Sequence, residues 1–156
     1  MLNIFLPKHA DNTYEFHKGI LFVFTAMTLL TLGRSLAHMF LPDGGANSIA
    51  TIISFDGTPD PDAVIYHIFA LWGLAQLAMG VIYVIVLLRY RNLVPLMWVF
   101  ILVEYAMRIF IGGVLKPMGD AYFRGTAPGE TGNFIFVPLA LIMIIWSMVS
   151  GKKNVD

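Results

Sequence analysis

Four apolar runs, near residues 19–41, 64–88, 93–115 and 132–149, each approach the length that crosses a bilayer, and they occupy most of the chain. A hydrocarbon core of about 30 Å takes about 20 apolar residues in helical form. Hydrocarbon offers backbone groups no partner, so such runs must satisfy their own N–H and C=O groups as helices. The sequence therefore predicts an all-α integral membrane protein: a four-transmembrane-helix bundle of up-down topology forming a single domain over residues 1–156. Composition agrees, since 58% of the 156 residues are hydrophobic and only 13% are charged, with mean hydropathy +0.74; soluble domains carry about 25% charged residues. Pro138 in the fourth run removes a backbone donor and is expected to kink that helix. Lys18 before the first run and Ser35-Leu36-Ala37 near its end resemble a secretory signal. The long polar lead-in from Met1 instead predicts a retained helix.

Basic residues orient the bundle. Lys8, Lys18, Arg89, Arg91, Lys152 and Lys153, six of the ten Lys and Arg, fall at the ends shared by the two termini and the tight connection between the second and third runs. The two longer connections hold Lys116 and Arg124 among six acids. The positive-inside bias thus predicts a protein of the cell membrane with both termini cytoplasmic and the longer loops outside. Tyr14, Tyr90, Trp98 and Trp146 near one end, with Tyr66 and Tyr122 near the other, suit interfacial belts. In the first outer loop Ile49, Ile52, Ile53 and Phe55 recur at helical spacing, which predicts a short amphipathic helix on the membrane surface. Asp56, Asp60 and Asp62 lack the ligand ladder of a calcium loop and are expected to form a solvated turn. The glycine-rich second outer loop is expected to be a connector or a lid.

Ionisable residues within the runs carry the functional information, because a charge in hydrocarbon is costly and needs a partner. At about 1.5 Å per residue, Arg34 stands about 21 Å above Ile20 and Arg108 about 21 Å above Val94, so the two are level. Glu104 and Gln76 come within a turn of that layer. By three-and-four spacing, Thr31, Arg34, Ser35 and His38 share a face of the first helix; Met97, Ile101, Glu104, Arg108 and Ile111 share one of the third. The second helix turns Phe69, Trp72, Gly73, Gln76, Gly80 and Tyr83 to one side. Three polar faces at one depth are satisfied most simply by pointing inward.

One carboxylate cannot neutralise two guanidinium groups. A closed structural network that fixes helix register accounts for the cluster as well as a site does, but it leaves one positive charge to be hydrated or met by an anion. The candidate ligand-binding residues are therefore Arg34, His38, Trp72, Gln76, Glu104, Arg108 and Asn133, the last at the mouth of an outward-opening pocket. Ala70, Gly73, Ala75, Ala78, Gly80, Gly112 and Gly113 are expected to permit close helix approach.

Several chemistries fall away. The chain has no cysteine, which excludes thiol relays and cysteine-ligated metals. With zero net charge and scattered basic residues, nucleic acid is not an expected partner. No cofactor is predicted. Haem held by His38 and His67 is the one option, and against it His67 lies about 180° around its helix from Gln76. His9 and His17 belong to the cytoplasmic lead-in. Glu104 lies too deep to join His38 and His67 around a metal, and no catalytic residue is assigned: Ser35 and His38 have the wrong helical geometry for a nucleophilic pair.

The layout, a short chain with cytoplasmic ends, a longer first outer loop and an arginine-bearing third helix, resembles that of small four-helix bacterial membrane proteins such as the DoxX-like family. The resemblance is one of layout and carries over no residue role. Three function classes follow. The favoured one is a protein whose outer-leaflet cavity binds a lipid, a quinone or another small amphipathic or anionic ligand, or which serves as an accessory subunit beside other membrane chains or copies of itself. The alternatives are an intramembrane enzyme with Glu104 as acid/base and an oligomeric transporter or channel component. Four helices without an inverted repeat weigh against the last.

Overall fold

The structure, a computed structural model, describes residues 2–152. Lys153 and the side chain of Lys152 lie outside the described residues. A short helix α1 (Leu2–Phe5) precedes four long ones, α2 (Lys18–Phe40), α3 (Asp62–Arg89), α4 (Val94–Phe110) and α5 (Pro128–Lys152). The long helices, counting the short turns that flank α4, are extended and apolar enough to cross a membrane. The protein is a multi-pass four-helix membrane bundle, with no strand among the described residues beyond an isolated bridge between Ile52 and Phe123.

Local chemistry sets the helix ends. His17 caps α2 by accepting the Gly19 N–H at Nδ1, 3.0 Å away, and Asp60 accepts the Asp62 N–H at 2.9 Å where α3 starts. Pro95 sits in the first turn of α4, where its missing N–H costs nothing. α5 starts four residues earlier than the sequence predicts, at Pro128, for the same reason. Pro138 lies inside α5 without ending it. α4 gives way after Phe110 to a π turn, Ile111–Leu115, in which Lys116 donates to the Ile111 carbonyl at 2.7 Å. Two glycines, Gly112 and Gly113, sit in this wider turn.

The helices pack as two close pairs, α2 with α3 and α4 with α5. Gly73 and Gly80 let α3 approach α2: a Cβ at Gly73 would stand 2.8 Å from the His38 Cβ, and one at Gly80 2.8 Å from a Leu32 methyl. The pairs join through an aromatic core. Phe24 meets Tyr83 and Trp98 edge-on at 5.3 and 6.0 Å. Trp98 therefore belongs to this core, fully buried, and not to an interfacial belt. Hydroxyls inside the bundle are satisfied by their own helices, as where Thr31 donates to Met27 O and Ser35 to Thr31 O. Asn92 ties the lead-in to the turn between α3 and α4, accepting the Asp11 N–H at 3.1 Å and donating to His9 O at 2.8 Å.

At the opposite end the two long connections hold each other. The surface helix expected from Ile49, Ile52, Ile53 and Phe55 does not form. Residues 42–49 are instead turns organised by Asp43, whose carboxylate accepts the N–H groups of Gly45, Asn47 and Ser48 and the Ser48 hydroxyl. The chain then runs extended: Arg124 N donates to Thr51 O at 2.7 Å and Ile53 N to Tyr122 O at 3.1 Å. A helix would satisfy the same backbone groups locally, but Thr51 turns the chain with a φ of +58°. Its partners then come from the other loop.

Candidate functional site

The polar residues of three helices, α2, α3 and α4, meet in one cluster. Glu104 lies one turn before Arg108 on α4, and its Oε1 accepts a hydrogen bond from the Arg108 guanidinium. Arg34 reaches the same oxygen from α2, with its Nη2 at 3.8 Å. The remaining donors of Arg34 are directed elsewhere: Nε to Gln76 Oε1 at 2.9 Å and Nη1 to the Tyr105 hydroxyl at 3.3 Å. Trp72 and Tyr105 flank both cations. The Arg108 Cζ is 5.0 Å from each ring centroid, and that of Arg34 is 6.0 and 5.8 Å away. Each such contact is worth about 0.5–2 kcal/mol, the higher figure where water is excluded. The aromatic faces spread the charge, but two guanidinium groups against one carboxylate still sum to one positive charge.

A cavity of about 420 Å³ opens beside the cluster. Its walls are Phe69 and Trp72 of α3, Arg108 and Ile109 of α4, the π-turn glycines, and Asn133 and Phe134 of α5. Ala50, Ile52 and Phe123 from the paired loops contribute to it, as do Lys116 and Glu130. Small-molecule sites commonly run from about 300 to 1,000 Å³ and combine an apolar lining with a few placed polar groups, the pattern here. Two buried amide atoms in this region have no hydrogen-bond partner: Asn133 Oδ1 in the cavity wall and Gln76 Nε2 behind it. An unsatisfied buried polar atom costs about 1–3 kcal/mol.

The residues expected from the sequence thus gather in one layer and divide into two roles. Trp72, Arg108 and Asn133 line the cavity. Arg34, Gln76, Glu104 and His38 stand behind them: His38 is buried, bonds Gly44 O through Nδ1 at 2.8 Å and packs its ring 4.7 Å from Trp72. Arg34 hydrogen-bonds Gln76 and Tyr105 and does not line the cavity, so the positive charge that the cavity meets is that of Arg108. His67 is exposed on α3, and it does not share an interior with the buried His38 as a haem clamp requires. Ser35 gives its proton to a backbone carbonyl and not to His38. Among the described residues no three His, Asp or Glu side chains group to hold a metal.

Gly112 and Gly113 do not serve helix packing. A Cβ at either would meet nothing within 4 Å, and both border the cavity. Four contributors escape a sequence reading. Tyr105 follows Ile101 by four residues and precedes Arg108 by three, a spacing that puts it on the polar face, yet its type suggests core. Lys116 reads as a loop cation. Ile52 and Phe123 reach the cavity only through the pairing of two loops some 70 residues apart. The chain matches no protein-family model, no curated protein and no solved structure.

Proposed function

We propose that this protein is a ligand-binding or accessory membrane protein, its helices alternating up and down across the cell membrane, with both termini cytoplasmic and the cavity in the outer half of the bundle. The ligand is small, amphipathic and anionic. One observation carries the reading: the cavity borders Arg108, a member of a cluster with one positive charge in excess. A guanidinium flanked by aromatic rings is weakly hydrated and offers a planar fork of donors, which suits a carboxylate or phosphate more than a point charge would. Positive-inside asymmetry supports the orientation.

Native mass spectrometry of gently extracted protein tests this. An anionic species should remain on the wild type and be lost from Arg108→Gln. Protein that retains nothing, or an adduct indifferent to Arg108→Gln, contradicts it. A second reading, an intramembrane enzyme with Glu104 as acid/base, draws on the 35% exposure of that side chain. Chemical conversion of a retained species that stops in Glu104→Gln would favour the enzyme.

A further inference from the structure

We propose that the ligand is a single-chain lipid with an acidic head group, seated against Arg108 with its acyl chain leaving sideways over the bare strip made by Gly112 and Gly113. This rests on the reading of the cavity as a ligand site and adds the chemistry and the route.

The paired loops contribute Ile52 and Phe123 to the cavity wall, and the π turn contributes Gly112 and Gly113. Over the loop end, Ile52 and Phe123 pair as a bridge, and two backbone hydrogen bonds, Arg124 N to Thr51 O at 2.7 Å and Ile53 N to Tyr122 O at 3.1 Å, fasten the strands of that roof. Along the side, Gly112 and Gly113 have open space where side chains would stand, and they lie on the surface of a helix long enough to span the membrane. Phe134, also on the wall, is 64% exposed. A gap at the flank of a membrane-spanning helix faces lipid, so an occupant that uses it arrives from the bilayer.

The lining sets the chemistry of the occupant. Apolar side chains make up most of the wall and can bury a chain, whereas Arg108 and Lys116, separated by eight residues of α4 and its π turn, present two cations against the single carboxylate of Glu130. At about 1.5 Å per residue their Cα atoms are about 12 Å apart along the axis, so one lies within the hydrocarbon and the other near the head-group layer. An acidic head that enters with its chain passes Lys116 and meets the surplus charge at Arg108. A neutral head would leave that charge unmet. A volume of about 420 Å³ holds a head group and part of one chain.

The test uses the full chain in detergent, titrated in separate arms with palmitate, monopalmitoylglycerol and acetate, with bound species counted by native mass spectrometry. Palmitate should be retained about tenfold better than monopalmitoylglycerol, a difference of about 1.4 kcal/mol, and acetate should neither bind detectably nor displace it. Arg108→Gln should erase the preference for palmitate. Gly113→Leu, or Gly112→Leu if the first fails to fold, should lower palmitate retention about tenfold with the melting temperature unchanged. Acetate competing as well as palmitate overturns the lipid assignment and leaves an anion site. Equal retention of palmitate and monopalmitoylglycerol, or none of any probe, overturns the anionic-ligand reading with it. Undiminished retention in the folded leucine variant overturns the lateral route alone.

Discussion

Glu104 holds Arg108 and faces Arg34, so removing its charge strands two cations at once. Glu104→Gln is expected to lower stability by about 1–3 kcal/mol, less than the 3–5 kcal/mol typical of a fully buried pair because the carboxylate is not closed in. Adding Arg108→Gln should restore part of the loss, since the double variant leaves Arg34 with Gln76, Tyr105 and no surplus partner to satisfy. Strictly additive losses in reversible detergent unfolding would mean that the two residues act independently. Arg34→Lys should cost more stability than ligand retention, and Arg108→Lys the reverse, because only Arg108 borders the cavity. At this scale the sequence was informative wherever depth and helical face decide the outcome: Arg34, Gln76, Glu104 and Arg108 meet because rise per residue brings them level. It was silent on the division between residues that line and residues that support. That division depends on which side chain borders the cavity: Arg34 turns to Gln76 and Tyr105, whereas Arg108 bonds Glu104 and lines the cavity wall.

The glycines show what elements add to residue types. Gly73 and Gly80 lie under α2, and Gly112 and Gly113 lie under nothing, yet all four read alike as packing residues in an apolar run. Gly73→Ala should destabilise by about 1–3 kcal/mol, since its Cβ would collide with the His38 Cβ and the Ser35 carbonyl, neither of which can swing away. Gly112→Ala should leave the melting temperature within error, and a large loss there would show that the π turn is packed and not open. The Asp43 turn makes a pH-dependent element. Partial burial pushes its carboxyl pKa up, but four hydrogen bonds from Gly45, Asn47 and Ser48 outweigh burial and hold it below the ordinary value. A depressed carboxyl stabilises the turn above its unfolded pKa of about 3.9, and that contribution is lost as pH falls through the lower folded value. Hydrogen-exchange protection of the 45–48 amides should therefore hold from neutral pH to about pH 4 and fall below it. In Asp43→Asn it should be low throughout; unchanged protection in that variant would remove the carboxylate from the account.

For the whole molecule, four membrane-length apolar runs left one architecture open, because hydrocarbon permits few ways to satisfy a backbone. Helix ends came within a residue or two for α2 and α3. The loop roof was not legible, since it depends on hydrogen bonds between groups some 70 residues apart, whereas the π turn and the early start of α5 are local features that hydropathy alone does not mark. Orientation rests on basic residues alone. A reporter fused after Asp156 should be cytoplasmic and one within residues 117–127 external, and the opposite pattern would move the cavity to the inner leaflet. The central claim, that a specific anionic ligand occupies the cavity, is tested most directly by placing a photocrosslinking side chain at Asn133 in the wall and, as a control, at Ile82, which is 44% exposed on the surface of α3. After irradiation in native membranes, position 133 should capture an anionic single-chain species that is depleted in Arg108→Gln, while position 82 captures the bulk lipid mixture. An identical lipid profile from both positions, unaffected by Arg108→Gln, would contradict the account.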